Sequence, residues 1–295
     1  MIGFVAGVPK AFVRALLSVG LLRRQHRVLP GFAPTLALTL LWLGLIVLGP
    51  LGVMLWFTAG MGLGTFWATI TTAHVLGDLW VSLRSALLAA LIDAVFGLLV
   101  AWVLVRYQFP GRRVVDALVD LPFALPTAVA GIALSALYAP TGWVGRLLAP
   151  LGVQIAFKPA GIVVAMMFIA LPFIVRTVQP VIEDLEPEQE EAAHLMGASA
   201  AQIFRLISFP AILPALLTGF ALAFARCLGE YGSIIFISSN KPMVSEIIPV
   251  LIVQQLDQFD YQGATAIAVL MLAVSFSLLL AINLLQAWVR RRYGQ

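Results

Sequence analysis

The chain has 295 residues, of which 61% are hydrophobic and only 11% charged, against roughly 25% charged in an average soluble protein. So few charges cannot cover a water-soluble domain of this size, which places the chain in membrane lipid. The net charge is +4, but the basic residues stand at the ends of apolar runs and form no patch, so no nucleic acid is expected as a partner.

Residues 1–28 carry Lys10, Arg14, Arg23, Arg24 and Arg27 and read as a basic N-terminal extension. It is either a short amphipathic helix on the membrane surface or disordered. The apolar run that follows, about 35–58, far exceeds the 7–15 residues usual for the core of a signal peptide, so it is expected to stay as an anchor. Five further runs, about 82–105, 114–138, 160–179, 211–237 and 263–289, are also long enough to cross. Backbone groups in hydrocarbon must be satisfied within the segment, so these six are predicted helices. The expected fold class is all-α and polytopic, with a transmembrane domain over 29–290 and a short tail at 291–295.

Lysine and arginine give the orientation. The N-terminus, the 106–113 loop, the 176–210 loop and the C-terminus, with Arg290, Arg291 and Arg292, hold 13 basic residues. The opposite set holds only Arg146, Lys158 and Lys241. Both termini and the 181–210 loop are therefore expected in the cytoplasm.

Several spans are irregular. Pro50, Pro122, Pro126, Pro172 and Pro214 lie in or near them, and each removes a backbone donor. Pro122 and Pro126, one turn apart, mark either a packing kink or a bent helix lining a passage. Arg84, Asp93, Asp116, Asp120 and Arg226 fall within predicted spans, where charge is costly. Arg226 and Glu230 are spaced to pair along one helix face, either as a structural lock or with Arg226 facing an anion path. Gly229 and Gly232 flank Glu230 and permit close contact or a helix break. Pro122, Pro126, Arg226, Gly229, Glu230 and Gly232 are thus the candidates for a passage or gate. Residues 238–262 read as an interfacial or partly re-entrant helix on the periplasmic side. Cys227 is alone and expected to be a buried thiol. His26, His74 and His194 show no metal-ligand spacing, and no catalytic or cofactor-binding pattern appears.

The loop at 181–210 stands apart. Pro187 fits a first helical position, with Glu188, Glu190 and Glu191 at the positive end of the helix dipole. Ala192 and Ala193 are small enough for a close approach. Gly197 suits the left-handed residue that ends a helix, and Ser199 with Gln202 restarts one through a capping box. Ile203, Phe204, Leu206 and Ile207 supply an apolar face, and Pro210 sets the entry into the fifth span. Such a compact knob fits a groove on a partner or packs on its own helices.

Glu191-Ala192-Ala193, three residues, Gly197, nine residues and Ile207-Ser208-Phe209-Pro210 resemble the docking loop of ABC importer permeases, with Phe209 where Leu is usual. Beyond that loop, residues 28–290 resemble the sulfate/thiosulfate permeases of the T (or U) type. The similarity is carried by Val28–Phe32, Asp116–Gly131, Arg176–Val181, Leu228–Ile237 and Gln258–Tyr261. The resemblance implies the type I (MetI-like) permease fold in the inner membrane. It makes Glu190, Glu191, Ala192, Ala193, Gly197, Ile207 and Pro210 the expected ATPase-docking residues. The implied partners are a second permease of the W type, an ATPase dimer that holds the ATP and Mg, and a periplasmic sulfate-binding protein. This chain would be non-catalytic and bind no cofactor. Molybdate or another tetrahedral oxyanion is the alternative cargo, and a self-contained ion-coupled transporter the more distant one.

Overall fold

The computed structural model describes residues 32–293, and the side chains of 34–287. The basic extension and the charged tail side chains lie outside the described residues. The chain divides into two units, residues 1–53 and 54–295. In the first, helix α1 (Phe32–Leu43) runs into a π turn at Gly44–Leu48. Helix α2 (Gly49–Gly60) begins there and ends in the second unit.

The second unit continues with α3 (Leu63–Ile70), α4 (Ala73–Arg106), α5 (Arg112–Val119), α6 (Leu121–Ala124), α7 (Thr127–Tyr138) and α8 (Trp143–Leu148). Then come α9 (Pro159–Glu183), α10 (Pro187–Leu195), α11 (Ala200–Ile203), a π turn at Phe204–Ser208 and α12 (Phe209–Leu228). The last elements are α13 (Ile234–Ile237), α14 (Ile248–Asp257) and α15 (Tyr261–Tyr293). Among the described residues there is no strand, and six segments are long and apolar enough to cross a membrane.

Helix α9 is the hub, packing most extensively against α4 and α12. Its buried face, Ala165, Met166, Ala170 and Ile174, meets Ala86, Ala89 and Ala90 of α4 and Ala223 and Phe224 of α12 in one core. Water is not displaced when membrane helices pack, so small residues that let backbones approach supply the contact. A Cβ built on Gly97 would lie 2.7 Å from Ile174 Cγ2, and one on Gly219 would lie 3.1 Å from Ile174 Cα. Ile174 is thus held between two glycine faces.

Three boundaries differ from expectation. The segment 114–138 is not one helix: α5, α6 and α7 are separated by breaks at Asp120 and Pro126, and the segment long and apolar enough to cross is Thr127–Leu151. The cause is charge. Arg112, Arg113 and Asp116 lie in α5 and Asp120 just after it, and they cannot cross hydrocarbon cheaply. The fifth span is also displaced from 211–237. It starts inside the loop at Ala200 and ends at Leu228, and the 229–237 stretch is a separate bend with its own short helix. The second span begins earlier than 82, at Ala73, where the Thr72 side chain caps the helix. Helix α14 fits the short helix expected within 238–262. It packs on α15 and α4, and its Ile248 and Leu251 are buried with Val75 and Ile267.

Substituting Gly97→Leu is expected to lower the unfolding midpoint of the detergent-solubilised protein, because overpacking costs about 1–3 kcal/mol. An unchanged midpoint in a thermal-shift measurement would show that α4 and α9 do not approach as described.

Candidate functional site

The 186–210 loop is built by local rules. Pro187 opens α10 where no intrahelical donor is needed. Gly197 closes it with φ +87°. The Gly197 N–H donates to His194 O at 2.9 Å and the Ala198 N–H to Ala193 O at 3.0 Å, the paired bonds of a Schellman motif. Two residues on, the Ser199 N–H donates to Gln202 Oε1 at 2.8 Å, while Ser199 Oγ accepts from the Gln202 N–H. Both ends of the turn are therefore fixed. It holds out an apolar tip, with Leu195 88% and Met196 83% exposed.

The structure sorts the predicted docking residues into two sets. Glu191, Ala192 and Gly197 are exposed, and Glu190, Glu191, His194 and Leu195 line a shallow groove of about 460 Å³. Ala193 is buried, while Ile207 and Pro210 are half-buried at the base of α12. Glu190 points back into its own bundle. Its Oε1 accepts from Arg106 Nη2 at 2.8 Å and from Ser208 Oγ at 2.8 Å. Arg106 ends α4 and lies over the Trp102 ring, 5.1 Å from its centroid. The Trp102 ring in turn meets Phe204 edge-on at 5.3 Å. One carboxylate thus joins α10 to the last turn of α4 and to the π turn that feeds α12.

The joined elements lead to a second region. From Ala200 to Leu228 the chain is continuously helical over 29 residues, with a π turn at Phe204–Ser208 and Pro214 inside it, about 44 Å at 1.5 Å per residue. At its far end Arg226 Nη1 pairs with Glu230 Oε2 at 2.8 Å, and Glu230 is buried. The other carboxylate oxygen, Oε1, accepts from the Ser233 N–H and Ser233 Oγ, both at 2.9 Å. This side chain therefore closes the bend opened after Leu228. The pairing expected from spacing is formed through Arg226 Nη1.

Of the proline and glycine candidates, Pro126 and Gly232 come together here. Pro126 caps α7, whose first turns pack on the Tyr231–Ile237 bend. A Cβ on Gly232 would strike Thr127, and one on Gly131 would strike the Ser233 backbone. Ser135 Oγ donates to Phe236 O at 2.8 Å across the same contact. Pro122 sits one helix earlier, in α6. Two interrupted segments far apart in sequence thus cover each other's breaks, as interrupted helices in a membrane require.

A third cluster has no counterpart among the predicted site residues. Arg176 Nε and Nη2 donate to Asp120 at 2.8 and 2.7 Å, and Nη1 donates to Asp116 Oδ1 at 2.6 Å. The clamp fastens α5 to the hub helix. One signal points to it in the sequence: a lone arginine inside an apolar helix. Nothing local marks Arg106 or Ser208 as partners of Glu190.

Residues 93–295 match the family described as binding-protein-dependent transport system inner membrane component. The chain is 53% identical over 253 residues to the sulfate transport system permease protein CysT of Synechocystis sp., covering 86% of this chain and 88% of that one. It is 47% identical over 268 residues to the protein of the same name from Escherichia coli, covering 91% and 97%. Among solved structures it superposes on a bacterial ABC transporter involved in the import of the acidic polysaccharide alginate. The TM-score is 0.73 at 17% identity, covering 97% of this chain and all of that one. Against the MetNI methionine ABC transporter the TM-score is 0.54 at 20% identity, covering 74% and 95%. The all-helical fold, with a fixed knob on a rod that ends in a covered break, is therefore that of ABC importer permeases, and the chain is a multi-pass membrane protein that belongs to the binding-protein-dependent transport system inner membrane component family.

Proposed function

We propose that this chain is a pore-forming permease subunit of an ATP-driven sulfate importer. Its Leu195–Met196 knob seats in a separate ATPase, and ATP and Mg act there. The observation that carries this reading is the exposed apolar tip, held by a closed turn against a continuous helical segment that leads to the Arg226–Glu230 bend. A continuous helix couples its two ends, so a displacement at the tip reaches the break without chemistry on this chain. The names of the curated relatives favour sulfate over molybdate as cargo. Thiosulfate shares the tetrahedral shape and belongs in the same class.

In this reading a second, W-type permease completes the pore and a periplasmic binding protein delivers the anion. Arg84 supports a protein partner on α4. It is exposed beside Trp80, Leu87 and Leu88, and among the described residues it has no hydrogen-bond or ion-pair partner. Facing lipid, it would cost on the order of 3 kcal/mol. Against a second subunit or an aqueous passage that cost is relieved. The basic-residue bias supports a cytoplasmic knob and cytoplasmic termini.

Gly197→Val forces a β-branched residue into the left-handed region, at a cost of about 1–2 kcal/mol or more. It is expected to abolish uptake of radiolabelled sulfate in cells whose other sulfate uptake systems are deleted, while membrane insertion stays near normal. Wild-type uptake with this variant would overturn the docking account.

Glu190→Ala removes a charge-assisted hydrogen bond and strands Arg106, a loss of about 1–3 kcal/mol. Uptake is expected to fall by about an order of magnitude or more. The assembled complex is expected to retain the ATPase, because the tip itself is intact. Loss of the ATPase from the purified complex would show that Glu190 contacts the partner directly.

A further inference from the structure

At the other end of α4 from Arg106, three ligating side chains converge. His74 and Asp78 stand one turn apart in α4, and Glu246 comes from the loop before α14. His74 Nε2 lies 2.9 Å from Asp78 Oδ2 and 2.7 Å from Glu246 Oε2. One donor atom from each residue falls within 4.8 Å of the other two. Both carboxylate side chains are fully buried, and the imidazole is 40% exposed.

The donors are only partly satisfied by one another. Asp78 Oδ1 accepts from the Met243 N–H at 2.7 Å, but Asp78 Oδ2 and Glu246 Oε1 have no hydrogen-bond partner among the described residues. A single imidazole nitrogen carries at most one hydrogen and cannot serve both carboxylates. With both carboxylates ionised, even a charged histidine leaves one negative charge in excess, and no lysine or arginine pairs with this group among the described residues. Unpaired buried charge is expensive.

We propose that His74, Asp78 and Glu246 form a binding site for a divalent transition-metal ion of the zinc type. One imidazole and two carboxylates match the nitrogen and oxygen ligands that such an ion takes, with a water in the remaining position. The exposed edge of His74 supplies the opening for that water. Bonds of about 2.0–2.2 Å to the ion require the donors to stand somewhat further apart than hydrogen-bond contact. A small rotation of the half-exposed imidazole provides this. The surroundings hold the ligands in place. Ser82 Oγ donates to Asp78 O at 2.8 Å and accepts from the Ile248 N–H at 2.9 Å. Gly77 lets the Met243 side chain lie against α4, since a Cβ there would come within 2.6 Å of it. The ion would staple the 238–247 loop to the first turns of α4.

The test uses the assembled transporter, purified with a peptide tag that contains no histidine and stripped with a chelator. Zn2+ is then titrated in by calorimetry, and Co2+ by its visible absorption. The expected result is one ion for each copy of this chain, a tetrahedral-type Co2+ spectrum and a higher unfolding midpoint with Zn2+. His74→Ala and the near-isosteric Glu246→Gln should each weaken binding at least tenfold and remove the shift in midpoint. Should His74→Ala fail to assemble, Glu246→Gln gives the same reading. Absence of Zn2+ binding to the wild type would overturn the site in favour of a proton shared between the two carboxylates. Binding that survives both substitutions would place the ion elsewhere and overturn it equally. Neither outcome bears on the cargo or on the docking knob.

Discussion

A backbone group left unpaired in hydrocarbon costs several kcal/mol, and that constraint decides where this chain can bend. The bends occur at Asp120–Pro126 and at Gly229–Ser233. Each is covered by protein, the first turns of α7 lying on the Tyr231–Ile237 segment. Glycine at 131 and 232 brings the two backbones close enough to exclude other atoms. The Glu230 carboxylate accepts the Ser233 N–H that the bend frees. Irregular backbone, the feature a passage needs, survives only because two distant segments share one site.

The same economy governs force transmission. The knob is stiff because both of its turns are closed by backbone and capping hydrogen bonds. It is attached through Glu190, which touches α4 by Arg106 and the α12 rod by Ser208. Hub helix α9 is fastened by a different device, the Arg176 clamp on Asp116 and Asp120. Charges that look expensive when read one at a time are mostly spent in pairs, so their cost becomes a means of fixing one element to another. Arg84 stands outside this scheme, exposed among apolar side chains of α4 with no partner among the described residues, which is why it points to a neighbour.

Much of this was legible in the sequence where the deciding physics is local. Pro187, Gly197 and the Ser199–Gln202 box act through backbone geometry within a few residues, and the structure shows each in its expected conformation. The Arg226–Glu230 pair follows from helical spacing. The 114–138 segment differs because its length and average hydropathy outweigh Asp116 and Asp120, which lie in its first two turns. The 211–237 span was misjudged at both ends. Its first turns belong to the loop in the sequence because Gln202, Arg205 and Ser208 interrupt the apolar run, and the helix stops at Gly229, beside the charged Glu230.

Composition and the hydrophobic period determined that this chain is a bundle of membrane helices, and the loop residues determined its knob, because burial in lipid and turn geometry are set by short stretches of chain. Only the tertiary structure decided that Glu190 faces inward, that Arg176 holds two aspartates, and that His74 meets Glu246 across 172 positions. Those outcomes depend on which helix faces pack together, and that is fixed by close contacts such as Gly97 and Gly219 on Ile174, which no single stretch of sequence contains.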